Sequence, residues 1–183
     1  MKKRIFKALV LLLVISLGFS TAFADGFPGI EGGGQLIQAP DGAKRPDWSV
    51  ISFGGWAQGT GGSFVGEWQV NYHNVSMDSL DKAQFHSTNI TSINYFSGDS
   101  GTCNSALNLT AYGTLNGEPG YYVILRFGDF GSPGYADTVR IELYKVGFGK
   151  VFDTHTSEFQ DVSSCVGSAR TGLDAGNIKI TLP

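Results

Sequence analysis

The sequence predicts an all-β protein: a single-domain antiparallel β-sandwich or small β-barrel of about eight strands. Three observations carry this expectation. Apolar residues recur with period two in several segments, the signature of a strand with one buried face. Clusters of Gly, Pro, Asn, Asp and Ser separate these segments about every ten residues, as turns would. Beyond residue 24 no window has the 3.6-residue period of an amphipathic helix.

The chain opens with a basic stretch, Lys2, Lys3, Arg4 and Lys7, followed by an apolar run from Ala8 to Phe19 and then Ala22-Phe23-Ala24. This is the layout of a bacterial-type signal peptide over residues 1–24 with cleavage before Asp25. The apolar run is shorter than the roughly 20 residues that a spanning helix needs. The expected destination is outside the cytoplasm, either secreted, periplasmic or at the cell surface, with no membrane insertion after cleavage. Cleavage removes four of the thirteen Lys and Arg and leaves nine against sixteen acids. An acidic surface repels phosphate backbones, so no nucleic-acid partner is expected.

Residues 25–47 read as a Gly/Pro-rich lead-in, because Gly32-Gly33-Gly34, Pro40 and Pro46 disfavour regular elements. The β domain is expected over 48–183. A first strand starts at Trp48, and Gly54-Gly55 and then Gly59 to Gly62 interrupt it. Phe64 to Val75 alternates, with Trp68, Val70 and Tyr72 on one face and Glu67, Gln69, Asn71 and His73 on the other. Ala83 to Phe96 and Ala106 to Leu115 follow as strands. Asn116-Gly117 marks a tight hairpin, because both residues readily take positive φ. Tyr121 to Phe127 is the most β-prone segment. In Thr138 to Tyr144, Val139, Ile141 and Leu143 point inward. Val146 to Phe152 gives a short interrupted strand, His155 to Ser168 reads as loop, and Gly176 to Leu182 closes the chain.

Each candidate site has a plain structural alternative. Gly98-Asp99-Ser100-Gly101 resembles the surroundings of a serine-protease nucleophile. The chain before it is too short for a barrel carrying a histidine and an aspartate, so it reads as a turn. His73 and His86 would meet only on neighbouring strands, and zinc needs further ligands. Asp129 and Asp137 end a glycine-rich turn; with carbonyls and waters they would hold calcium weakly, or they cap turn amides. No other cofactor is expected. Cys103 and Cys165 can form only one bridge outside the cytoplasm, the alternative being a pair of free thiols. The excess of Tyr and Trp suggests stacking platforms, for which Trp56, Trp68, Tyr72 and Tyr135 are the candidates.

Several stretches together resemble the bacterial post-COAP domain. They include Gly32-Gly33-Gly34, Gly66 to His73, His86-Ser87-Thr88-Asn89-Ile90 and Gly113-Thr114-Leu115-Asn116-Gly117. Gly128 to Gly134 leading into Asp137 to Ile141, and Gly176-Asn177-Ile178-Lys179-Ile180, complete the order. The resemblance implies a secreted or surface-exposed β domain and implies no catalytic residue. The two cysteine-bearing segments look longer than that pattern.

The expected function is therefore a secreted, non-enzymatic β domain that binds a surface polymer, a glycan, or a protein partner. Two alternatives stand beside it. One is a secreted carbohydrate-active hydrolase using a carboxylate pair from Glu67, Glu118, Asp129 and Glu142. The other is a purely structural envelope component.

Overall fold

The computed structural model describes residues 27–38, 44, 47–75, 80–97, 103–131, 137–156, 159, 163–165 and 168–181. Residues 1–24, read above as a signal peptide, lie outside the described residues, as do Ser100 and Tyr135.

The protein is all-β and antiparallel. Among the described residues there are eleven strands: β1 (Gly29–Gln38), β2 (Ser49–Thr60), β3 (Ser63–His73), β4 (Gln84–Ser97), β5 (Ser105–Leu115) and β6 (Glu118–Asp129), then β7 (Thr138–Lys145), β8 (Gly149–Asp153), β9 (Ser163–Cys165), β10 (Ser168–Gly172) and β11 (Ala175–Thr181). A short 3-10 turn, Thr154–Thr156, follows β8. No helix among the described residues is long and apolar enough to cross a membrane.

The strands form one sheet in the order β11-β1-β2-β3-β4-β5-β6-β7-β10-β9, and β8 pairs with the other end of β7. The long connections are few, because most neighbours in space are neighbours in sequence. Only two residues, Leu173 and Asp174, separate β10, which pairs with β7, from β11, which pairs with β1. The two flanks of the sheet are thus drawn together. The Leu173 N–H donates to the Asp137 carbonyl, and the Asp174 N–H to the Gln35 carbonyl. The Asp174 carboxylate accepts from the Ile37 N–H at 2.6 Å.

Strand β1 is the main departure from the sequence reading, which left 25–47 irregular. The glycines there make room for the sheet. A Cβ at Gly33 would lie 2.6 Å from the Phe53 carbonyl oxygen of β2, and one at Gly32 would strike the Asn177 carbonyl of β11. Glycine in a strand commonly marks such close backbone approach. Likewise β2 runs on through Gly55, where a Cβ would strike the Glu67 carbonyl of β3, and turns only at Gly61-Gly62. The count rises from about eight strands to eleven because β1 and β9 fall in segments read as lead-in or loop, and β10 lies almost wholly in the stretch after Ser168 to which no element was assigned.

Strands β3 and β4 pair over three residues only, Gln69 to Asn71 against His86 to Gln84. Where they part, the Ser87 hydroxyl accepts from the Trp68 N–H at 2.7 Å. The inner face packs one apolar core. Phe53, Trp68 and Phe127 meet there, with the Trp68 and Phe127 ring centroids 5.0 Å apart. Tyr72 packs edge-on against Phe152. A second small apolar group, Cys103, Ala106 and Phe130, covers the opposite face at the far end of β5.

Candidate functional site

Of the four aromatic candidates, two are corrected. Trp68 is 0% and Tyr72 1% exposed, so neither ring can meet a ligand. Their alternation with Glu67, Gln69 and Asn71 points them inward. Burial pushes the Tyr72 hydroxyl far above its ordinary pKa. Trp56 lies half-buried on the outer face of β2, opposite Glu31 of β1 and Glu67 of β3. Tyr135 lies outside the described residues.

The outer face of β5, β6 and β7 carries a different aromatic set. Tyr112, Tyr122 and Tyr144 are direct cross-strand partners. Tyr112 and Tyr122 have centroids 5.1 Å apart and planes 24° apart; Tyr122 and Tyr144 are 4.7 Å and 4° apart. Coplanar rings lying side by side could not approach so closely, so the three rings stand on edge and stack face to face. The Lys150 ammonium lies 5.7 Å from the Tyr144 ring and closes that end of the stack. At the other end Tyr112 is 42% exposed. Its unstacked face looks toward β4, above Asn89.

β4 is irregular at this point. Its pairing with β5 slips between Ser87 and Asn89 and again between Ile90 and Ser92. The extra residues, Thr88 and Thr91, donate their hydroxyls to the carbonyls of Tyr112 and Thr110. Thr88, Asn89 and Thr91 are exposed. The open ring face therefore stands over a polar ledge of two hydroxyls and one amide.

Beside the tyrosines lies an ionic cluster. Glu142 accepts from Arg126 Nε at 2.8 Å, Lys150 Nζ at 2.7 Å and Tyr144 Oη at 3.2 Å. Asp153 receives Arg140 through Nε at 3.0 Å and Nη2 at 2.7 Å, and Lys150 at 2.7 Å. The carboxylates are 3% and 2% exposed, whereas Arg126 and Lys150 are 30% and 38% exposed. Burial pushes the Asp153 carboxyl up, but hydrogen bonds from Arg140, Lys150 and the His155 N–H prevail and hold it at about 2. Glu142 is likewise raised by burial and lowered further by Lys150 and Arg126, ending below its ordinary value.

The remaining candidates have identified places. The Asp137 carboxylate accepts from the Phe130 N–H at 3.1 Å and the Ile178 N–H at 2.7 Å. Asp129 accepts from the Ile180 N–H at 3.3 Å. Both aspartates thus bind the backbone of β11. Among the described residues no group of three or more His, Cys, Asp or Glu could hold a metal ion. His73 stands opposite Val50 and His86 opposite Gln69, so the two imidazoles are not partners. Cys103 is buried; Cys165 lies in β9, and its side chain is outside the described residues.

Sequence reasoning included Tyr112, Tyr122 and Tyr144 in its surplus of aromatics but did not select them. The cue was their common outward parity, which becomes readable only once the β5–β6 register is known.

No family model, no curated protein and no solved structure matches this chain.

Proposed function

We propose that this protein is an exported, non-enzymatic β domain that binds a surface glycan. One observation carries the reading: a stack of three tyrosines ends in an open ring face, Tyr112, over a ledge of Thr88, Asn89 and Thr91. Sugar rings have an apolar C–H face and a polar rim. An aromatic face with adjoining amide and hydroxyl groups is complementary to both. The stack fixes the Tyr112 ring in advance, so little side-chain freedom is lost on binding.

Three of the four carboxylates, all but Glu67, weigh against the hydrolase alternative. A general acid needs a raised pKa and access to the scissile bond. Glu142 has the opposite shift and is occupied by two cations. Asp129 is engaged with β11, and Glu118 is paired with Lys145 at 2.9 Å.

Export through the 1–24 segment and kinship with post-COAP domains belong to the same proposal, on the sequence features given above. So does a Cys103–Cys165 bridge. It is supported by burial of Cys103. Such a bridge would staple the covering of the outer face beside Ala106 and Phe130 and bound one side of the binding face.

A glycan array tests the function. Wild-type protein is expected to retain a subset of polysaccharides, and Tyr112→Ala to lose them with an unchanged melting temperature. Absence of any retained glycan, or equal retention by Tyr112→Ala, would overturn the proposal. Running the array with and without calcium separates this reading from metal-dependent recognition through Asp129 and Asp137.

A further inference from the structure

The ionic cluster beside the tyrosine stack is asymmetric. It contains three cations, Arg126, Arg140 and Lys150, against two carboxylates, Glu142 and Asp153. The carboxylates are almost wholly buried and the cations are partly exposed, so solvent meets positive charge. The rest of the sequence beyond residue 24 is acidic, which makes the local sign reversal more telling.

Two of the cations grip one carboxylate from opposite oxygens. Arg126 Nε reaches Glu142 Oε2 at 2.8 Å, and Lys150 Nζ reaches Oε1 at 2.7 Å. Their head groups therefore lie one carboxylate apart. Arg126 uses only Nε in that bond; among the described residues its Nη donors have no partner. An arginine fork with its outer donors open suits a second carboxylate bound from the solvent side. The Lys150 ammonium also lies against the Tyr144 ring, which joins this cation pair to the tyrosine stack.

We propose that the ligand is an acidic polysaccharide, a uronate-bearing chain whose carboxylate is taken by Arg126 and Lys150 while a sugar further along the same chain, beyond Tyr144 and Tyr122, packs on Tyr112. This deepens the glycan-binding reading and rests on it. The internal carboxylates hold the cations in place, so the external carboxylate meets donors already oriented. A neutral glycan would engage the tyrosine and the threonine ledge but leave the arginine fork in water.

Isothermal titration with polygalacturonate, and with amylose and cellohexaose as neutral probes, tests this. Wild-type protein is expected to bind polygalacturonate and to weaken as sodium chloride is raised from 20 to 300 mM (about these values, spanning the change in Debye length). Arg126→Lys keeps the charge but loses the fork, and is expected to weaken polygalacturonate binding about tenfold. Urea unfolding of the same variant checks that Glu142 stays paired. If Arg126→Lys is unfolded, the salt dependence and the neutral-probe comparison on wild-type protein decide alone. Neutral glycans binding as tightly as polygalacturonate, without salt dependence and with loss in Tyr112→Ala, would overturn the acidic-ligand inference and leave glycan binding standing. No binding to any of the three probes would overturn this inference, while the array reports separately on glycan binding.

Discussion

Replacing Glu142 by Gln isolates the role of the buried charge. The amide keeps the shape of the side chain but removes the negative partner of Arg126 and Lys150. Of the two charge-assisted hydrogen bonds, at 2.8 and 2.7 Å, one now ends on an uncharged amide oxygen and the other is lost, because it meets an amide NH2 that cannot accept. Such bonds contribute about 1.5–3 kcal/mol each when intact. Two effects reduce the net loss. Arg126 and Lys150 are 30% and 38% exposed, so water can solvate them. Removing a buried carboxylate also recovers part of its desolvation penalty. The expected destabilisation is therefore about 1–2 kcal/mol at pH 7, well below the 3–5 kcal/mol of a fully buried broken pair. Urea unfolding across pH gives the sign. Glu142 titrates lower in the folded state than in the unfolded chain, so its contribution is complete above the unfolded value of about 4.3. It is lost as pH falls through the folded value. The gap between wild type and Glu142→Gln should narrow on acidification. A variant equal to wild type at pH 7, or a gap that widens toward acid, would show that the Glu142 charge does not hold Arg126 and Lys150.

The other predictions concern single sites. Asp137→Ala removes the acceptor of two backbone amides and should cost about 1–3 kcal/mol in urea unfolding, with or without calcium. Tyr72→Phe removes a buried hydroxyl without a hydrogen-bond partner. It should leave the melting temperature unchanged or raise it, and a fall of several degrees would contradict that. Gly33→Ala drives a methyl group to within 2.6 Å of the Phe53 carbonyl and should destabilise by about 1–3 kcal/mol. Asp153, held at about 2, contributes stability that is complete above its unfolded value and is lost as pH falls through the folded one, so in urea unfolding the margin of the wild type over Asp153→Asn should be largest at neutral pH and shrink toward pH 2.

Much of the fold can be read from local chemistry. Asn116-Gly117 takes positive φ at both residues and joins β5 to β6. Val139, Ile141 and Leu143 alternate in the sequence and all are buried in β7. Strand β1 could not be read this way. Its glycines look like breakers until the backbones of β2 and β11 lie against them.

The tyrosine stack was hidden for a different reason. Counting back from the Asn116-Gly117 hairpin, Tyr112 would oppose Tyr121. The extra residue at Gly120, with φ near +90°, shifts the pairing after Thr114 opposite Pro119. Tyr112 then meets Tyr122, while Tyr121 turns into the core at 7% exposure. A slip of one residue exchanges the two faces of a strand, and no local pattern announces it. The ionic cluster needed a second such detail, since the β7–β8 register also shifts, between Leu143 and Tyr144. Trp68 and Tyr72 teach the converse. Their alternation with polar residues already identified an apolar, inward face, and the abundance of aromatics drew attention away from it.

Hydroxyl-radical footprinting with mass spectrometry reports which aromatic side chains a bound polysaccharide covers. Tyr112 should be oxidised in the free protein and protected in the complex, with Trp68 unreactive in both. Protection confined to Trp56, with Tyr112 equally oxidised in the free and bound states, would contradict it.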